Sequence, residues 1–390
     1  MSIRRRLAEE RQLILLSAAT AASREQASGL ARRLSAEIDW PRLAEVLARR
    51  KLLQTLGPRI QELAGERADA GFEAALQRAL ELGRRQGAFL QLISSRVMAT
   101  LAEAGIRSAT LKGPSLGEAI YGDPGRRPSS DVDLLVAADQ LPAAVEAVRG
   151  MGYVVLPEYV DARGLPLLHF ALVHEQGQLP PVELHWRVHW YEEHFARERL
   201  LPPTLEAQAN WRPEPPDELA ALLLFYARDG FIDLRLACDL GAWWDVHGAD
   251  LPPAALDGLL DAHPALVRAT ATALEVAEAV VGMPAGPLLG SRRKRSARER
   301  AAARLANPNP HTSRSQLHAD AGLIDGLLAP PGGFGAFVRR QVLPPHEVLA
   351  QQARHADRRR PRSRLTRSTG VLARYARAMA RMVRTPERTL

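Results

Sequence analysis

The sequence predicts an α+β fold, in which a small core of mixed strands and helices at residues 105–200 is flanked by N- and C-terminal helical regions. Three observations lead there. Residues 1–104 repeat apolar side chains at three- and four-residue spacing with Arg, Glu and Gln between them, the mark of amphipathic helices. From Ile106 to Val188 strand patterns alternate with short helical ones, as in one compact unit that mixes both. Past about Arg197 the helical spacing returns.

Asp39-Trp40-Pro41 reads as a helix start with Pro inside it, followed by Leu43, Val46 and Leu47. Leu80, Leu82, Phe89, Leu92, Ile93, Val97 and Leu101 continue the helical spacing until Ala104-Gly105 ends it. The core then runs as strand 106–111, helix 114–121, loop 122–130, strand 131–136, helix 141–152 and strand 153–156. Leu168 to Val173 and Val182 to Val188 form two further strands, expected to be antiparallel across a Gln-Gly-Gln turn. Pro215-Pro216-Asp217 starts a helix to Arg228, and Leu234 to Val246 makes another, within a helical domain at 201–290. Residues 291–390 form a basic region punctuated by Arg292–Arg295, Asn307–Pro310, Pro330–Gly333 and Arg358–Arg364. Within it Val371 to Val383 sets Arg374, Arg377, Arg381 and Arg384 on one helical face and Leu372, Tyr375, Met379 and Met382 on another.

At 390 residues the chain has room for two to three domains. The net charge of +8 is concentrated in one segment. A single cysteine, Cys238, excludes an internal disulfide and any cysteine-based zinc cluster, and suits a reducing compartment. Arg4-Arg5-Arg6 ahead of Leu13–Leu16 imitates a signal peptide, but Glu9, Glu10 and Arg11 interrupt it, so an amphipathic helix is expected. No stretch approaches the ~18–20 apolar residues of a membrane span. A cytoplasmic protein is the expectation, and the heavy use of Ala, Arg and Pro matches a high-GC bacterial gene.

Chemistry concentrates between Leu111 and Val136. On a strand, residues i and i+2 share a face, so Asp131 and Asp133 present paired carboxylates while Val132 points the other way. Paired carboxylates repel unless a cation lies between them, and oxygen ligands suit magnesium held jointly with phosphates. Upstream, Gly113 permits a tight turn, Pro114 fits a first helical position, and the free N–H groups beside Lys112 and Ser115 favour an anion. A metal on one side and an anion cradle on the other suggest phosphoryl or nucleotidyl transfer.

These residues resemble the nucleotidyltransferase superfamily of DNA polymerase beta. Within it they are most similar to an uncharacterised nucleotidyltransferase family found across bacterial genomes. Lys112-Gly113, Tyr121, Arg127, Asp131-Val-Asp133-Leu-Leu-Val and Val182-Glu183-Leu184-His185-Trp186 carry the resemblance, which is densest from about Ile106 to Trp190. It implies a polymerase-beta-like core and a third metal carboxylate on a neighbouring strand, matched by Glu183. By the same resemblance, Asp131, Asp133 and Glu183 are the catalytic and magnesium-binding residues, and Lys112, Gly113, Ser115 and Arg127 bind the nucleotide. The implied reaction moves a nucleoside monophosphate from a nucleoside triphosphate to an unidentified acceptor and releases pyrophosphate. Two departures stand out: Pro114 separates Gly113 from Ser115, and the third carboxylate is Glu instead of the commoner Asp. The family also carries a Leu-Arg-x-x-x-Asp pattern, here Leu234-Arg235 to Asp239, and often a His where this chain has Ala227-Arg-Asp-Gly230.

Two other classes remain open on sequence: a catalytically weak or inactive scaffold of the same fold, and a nucleic-acid-associated accessory factor. The basic C-terminal region would suit an anionic surface or an acidic partner. A zinc site built from His185, His189 and His194 lacks a third ligand at motif spacing. Asp239 is expected to cap its helix or pair with Arg235, and Trp186, Trp190, Trp243 and Trp244 to serve packing.

Overall fold

A five-stranded mixed sheet carries the core of the computed structural model, in the order β1-β2-β5-β4-β3. The strands are β1 (Ser108–Thr110), β2 (Val132–Val136), β3 (Tyr153–Val155), β4 (His169–His174) and β5 (Val182–His185). The structure describes residues 3–158, 160–290, 296–306 and 314–333, together with 335, 337–338, 373, 375–376 and 380. The clusters Arg292–Arg295, Asn307–Pro310 and Arg358–Arg364, and most of the helix expected at Val371–Val383, lie outside the described residues.

β1 pairs antiparallel with β2, β2 parallel with β5, and β5, β4 and β3 continue antiparallel. The expected antiparallel pair is therefore present as β4 and β5. Its second strand ends at His185, short of Val188, and β2 begins at Val132, one residue after Asp131.

The alternation of side chains divides the sheet into two faces. Val132, Leu134 and Val136 of β2, Val182 and Leu184 of β5 and Leu172 of β4 enter one apolar cluster, with Ile93 and Val97 from a long helix and Leu141 and Val148 from the helix that follows β2. The opposite face carries Asp133, Glu183, His185 and His169. Beside them, Ala109 and Leu135 join a second and larger cluster, which runs continuously from Leu13 and Ile14 through Leu56 and Phe72 to Phe225, Trp243, Leu274 and Ile324. Helices from both ends of the chain thus share one core, and the polar face of the sheet looks toward it.

The long helix, Ala70–Glu103, spans 34 residues, about 50 Å at 1.5 Å per residue. Asp69 caps it by accepting from the Phe72 N–H at 2.6 Å. Its first half sends Phe72, Leu76 and Leu80 into the larger cluster, and its second half sends Leu90, Ile93, Val97 and Leu101 against the sheet. Leu82 and Leu92, which share the helical spacing, are instead 66% and 65% exposed, and Phe89 is 38% exposed. A single helix buries only one stripe, and these three fall off it.

Between its two halves the helix meets the loop that precedes β2 at van der Waals contact. A Cβ on Gly83 would lie 2.4 Å from the Gly125 carbonyl oxygen, and one on Gly125 would lie 2.4 Å from the Arg84 nitrogen. Beside this contact the Arg84 guanidinium donates to Asp123 at 2.9 Å. Glycine is needed here for room. Gly83→Ala and Gly125→Ala should each destabilise the protein by about 1–3 kcal/mol through overpacking. Gly29→Ala, with only the tip of Arg33 within reach, should be neutral or stabilising by up to roughly 1 kcal/mol. Urea unfolding reads all three. Equal stability of the Gly83 and Gly29 variants would show that the helix and loop are not in tight contact.

Candidate active site

Strand register brings the polar face together. In the parallel pair Asp133 lies opposite Glu183, and in the antiparallel pair His169 lies opposite His185. Because i and i+2 share a face, Glu183 and His185 point the same way, so three adjacent strands contribute four titratable groups to one patch. The β1 edge supplies a fifth. The Leu111 N–H donates to the Asp133 carbonyl at 3.2 Å, and the next residue, Lys112, sets its Nζ 3.3 Å from Asp133 Oδ1.

His185 is the hub of the patch. Its Nε2 stands 3.1 Å from Asp133 Oδ1 and 3.2 Å from Glu183 Oε2. His169 Nε2 reaches the same Glu183 oxygen at 3.6 Å, with the two imidazole rings 4.5 Å apart. Burial alone would raise the Asp133 carboxyl, but the Lys112 ammonium and the contacts from His185 outweigh it and hold the group well below the usual carboxylate range. Glu183 follows the same logic more mildly, with burial opposed by the His185 bond and by His169. Burial, reinforced by His185, pushes His169 down to about 4, so its ring is neutral at pH 7.

The expected anion cradle would lie next to Lys112. Gly113 has φ +93°, which favours glycine, and no neighbouring atom would meet a Cβ there. Conformation therefore selects this glycine, and crowding does not. Helix Pro114–Tyr121 begins at once, with no side chain capping its first turn, so its N–H groups remain open to an acceptor. Lys112 and Ser115 line a cleft of about 490 Å³ together with Ser94, Ser108, Gln208 and Trp211.

The remaining candidates are arranged differently. Asp131 precedes β2, and its Oδ1 accepts from the Ser129 hydroxyl at 2.8 Å. Arg127 is not in the patch: its Nε donates to Asp239 Oδ2 at 2.8 Å, with the two side chains 2% and 0% exposed. A guanidinium buried in that pair is committed to the fold and does not face a triphosphate. Asp239 also accepts from the Tyr121 hydroxyl at 3.0 Å, and burial beside that carboxylate drives the Tyr121 phenol well up. The expected Asp239–Arg235 pair does not form. Arg235 instead donates to the Pro128 carbonyl at 2.8 Å and to Asp233 at 3.1 Å. Spaced i, i+4 on helix Leu234–His247, Arg235 and Asp239 share a helix face, and both grip the loop that leads to Asp131.

His169 is the residue that sequence reasoning missed. Its signal was present: given a hairpin around the Gln-Gly-Gln turn, antiparallel pairing sets some residue of the first strand across from His185. Register cannot be read from composition alone. His189 and His194, by contrast, lie outside the patch, the first packed near Tyr191 and the second exposed.

A model of the uncharacterised nucleotidyltransferase family matches residues 36–277. That is more than half of the chain, and the protein belongs to this family, with its small mixed sheet as the nucleotidyltransferase-type core. No curated protein and no solved structure matches the chain. Among the described residues no helix is long and apolar enough to cross a membrane.

Breaking one side of the Arg127–Asp239 pair strands the other charge in the core, which costs about 3–5 kcal/mol. Asp239→Ala and Arg127→Ala should each lose that much in urea unfolding, while Arg127→Met with Asp239→Leu should lose much less than the sum. Full additivity would show that the two side chains do not interact. A pH effect follows from His169. Its folded value lies below its ordinary 6.5, so the unfolded chain binds the proton first, and the fold loses stability as pH falls from about 6.5 toward 4. The difference in stability between wild type and His169→Gln should shrink or change sign across that window. A pH-independent difference would mean that His169 is not held neutral by burial.

Proposed function

We propose that the protein is a magnesium-dependent nucleotidyltransferase that moves a nucleoside monophosphate from a nucleoside triphosphate to an acceptor and releases pyrophosphate. The observation that carries this reading is the parallel register of β2 and β5, which sets Asp133 beside Glu183, with Lys112 3.3 Å from Asp133. The donor chemistry suits a hard cation, although among the described residues Asp131, Asp133 and Glu183 do not bring three ligand atoms within 4.8 Å of one another. Asp131, Asp133 and Glu183 offer oxygen ligands, and Asp133 Oδ2 is a buried carboxylate oxygen with no hydrogen-bond partner among the described residues. When bound, magnesium would stabilise charge on the attacking and leaving oxygens of the displacement.

The chain's own residues would do the rest. Asp131, Asp133 and Glu183 hold the ion. Lys112, the first-turn N–H groups after Gly113 and the Ser115 hydroxyl neutralise and orient the phosphates. Glu183, with a side chain 24% exposed, can meet an acceptor from solvent and take its proton. The acceptor oxygen bonds to the α-phosphorus while the bond from that phosphorus to the bridging oxygen breaks, and pyrophosphate leaves with the electron pair. Arg127 has no part in this scheme, because it fixes the loop.

The test measures pyrophosphate release from a panel of labelled nucleoside triphosphates with cell extract as the source of acceptor. A base that acts mainly in the transition state lowers turnover more than affinity. Glu183→Gln should therefore still bind triphosphate with magnesium yet lose about 10²–10⁴-fold in transfer. Unchanged turnover in that variant would remove Glu183 from the chemistry.

A further inference from the structure

We propose that His169, Glu183 and His185 form a second metal centre, a site with two imidazoles and one carboxylate that takes a zinc-type transition ion beside the carboxylates assigned to magnesium. One ligand atom from each of the three residues lies within 4.8 Å of the others. Glu183 Oε2 stands 3.2 Å from His185 Nε2 and 3.6 Å from His169 Nε2. Ligands bonded at 2.0–2.1 Å to a tetrahedral zinc lie about 3.3 Å apart, close to the two separations that Glu183 makes to the imidazoles.

Protons alone serve this cluster poorly. His185 Nε2 carries at most one hydrogen, yet it faces carboxylate oxygens of both Asp133 and Glu183. One N–H cannot satisfy two acceptors in different directions with good geometry. The ligands also sit on rigid elements. Glu183 and His185 are i and i+2 on β5, and His169 is the direct partner of His185 on β4, so the ladder fixes their separation before any ion arrives.

Donor chemistry sets the class of ion. Imidazole nitrogen favours zinc and its neighbours, whereas magnesium takes oxygen ligands. Three protein ligands would leave a coordination position open, as in catalytic zinc sites, and the His169 and Glu183 side chains are 29% and 24% exposed. Glu183 belongs to both donor sets, so the two ions would share one carboxylate. The centre rests on the three side chains alone and does not require the transfer reaction.

The test is a cobalt titration of the full chain, stripped with chelator and held in excess magnesium. Cobalt in a site with nitrogen ligands should give a visible absorption band that saturates at one ion per chain and is bleached by zinc. His169→Ala, a change at a partly exposed side chain, should weaken cobalt binding by at least about tenfold while leaving the circular dichroism spectrum unchanged. Asp131→Asn should keep the cobalt band and lose magnesium-dependent nucleotide binding. No band, displacement of cobalt by magnesium at similar concentration, or wild-type affinity in His169→Ala would overturn the site. A cobalt band in a protein that turns over no nucleotide would uphold the metal centre and count against the transfer reading instead.

Discussion

The buried ion pair between Arg127 and Asp239 is the constraint from which the rest of the site follows. It closes over a distance of 2.8 Å between side chains with almost no exposure, and it ties the loop ahead of β2 to a helix more than a hundred residues later. The same loop is held along most of its length. Gly125 lies against the long helix, the Arg126 carbonyl accepts from Thr55, the Pro128 carbonyl accepts from Arg235, and Ser129 bonds Asp131. Loops with so many anchors do not move independently. Asp131 therefore enters β2 from a fixed direction, and the helices from both ends of the chain act as the frame that holds it.

The second constraint is electrostatic. Asp133 is buried on a face where Glu183 lies across from it on β5 and Leu135, two residues along β2, enters the larger apolar cluster. An isolated carboxylate there would be costly. Lys112 and His185 offset the cost, and they hold the group ionised at any physiological pH. The arrangement keeps a buried carboxylate ionised by pairing it with an ammonium 3.3 Å away.

Much of this was legible in the sequence, and the failures share one cause. Asp133, Lys112 and Gly113 each carry a local signal (alternation along a strand, a strand exit, and a glycine ahead of a proline), whereas Glu183 stands out only through the family resemblance, and the register of β2 and β5 sets it opposite Asp133. The antiparallel pairing of β4 with β5 followed from the turn between them. Arg127 was expected to bind nucleotide through the family resemblance, and its buried pairing with Asp239 was not legible because Asp239 lies far away in sequence. The Leu-Arg-x-x-x-Asp pattern was likewise read within its own helix, whereas both of its charged residues reach across to the loop. His169 needed the exact ladder register, which no local pattern supplies. Leu82 and Leu92 fit the helical spacing yet face outward, since periodicity marks a stripe without saying how wide the buried part is.

On the proposed function, the carboxylates of β2 and β5 bind a nucleoside triphosphate through a divalent ion. Isothermal titration of the full chain with a non-hydrolysable triphosphate analogue, with and without magnesium, tests it most directly. Binding should require magnesium and should disappear in Asp133→Asn while that variant remains folded. Binding of equal strength without magnesium, or in Asp133→Asn with it, would contradict the claim.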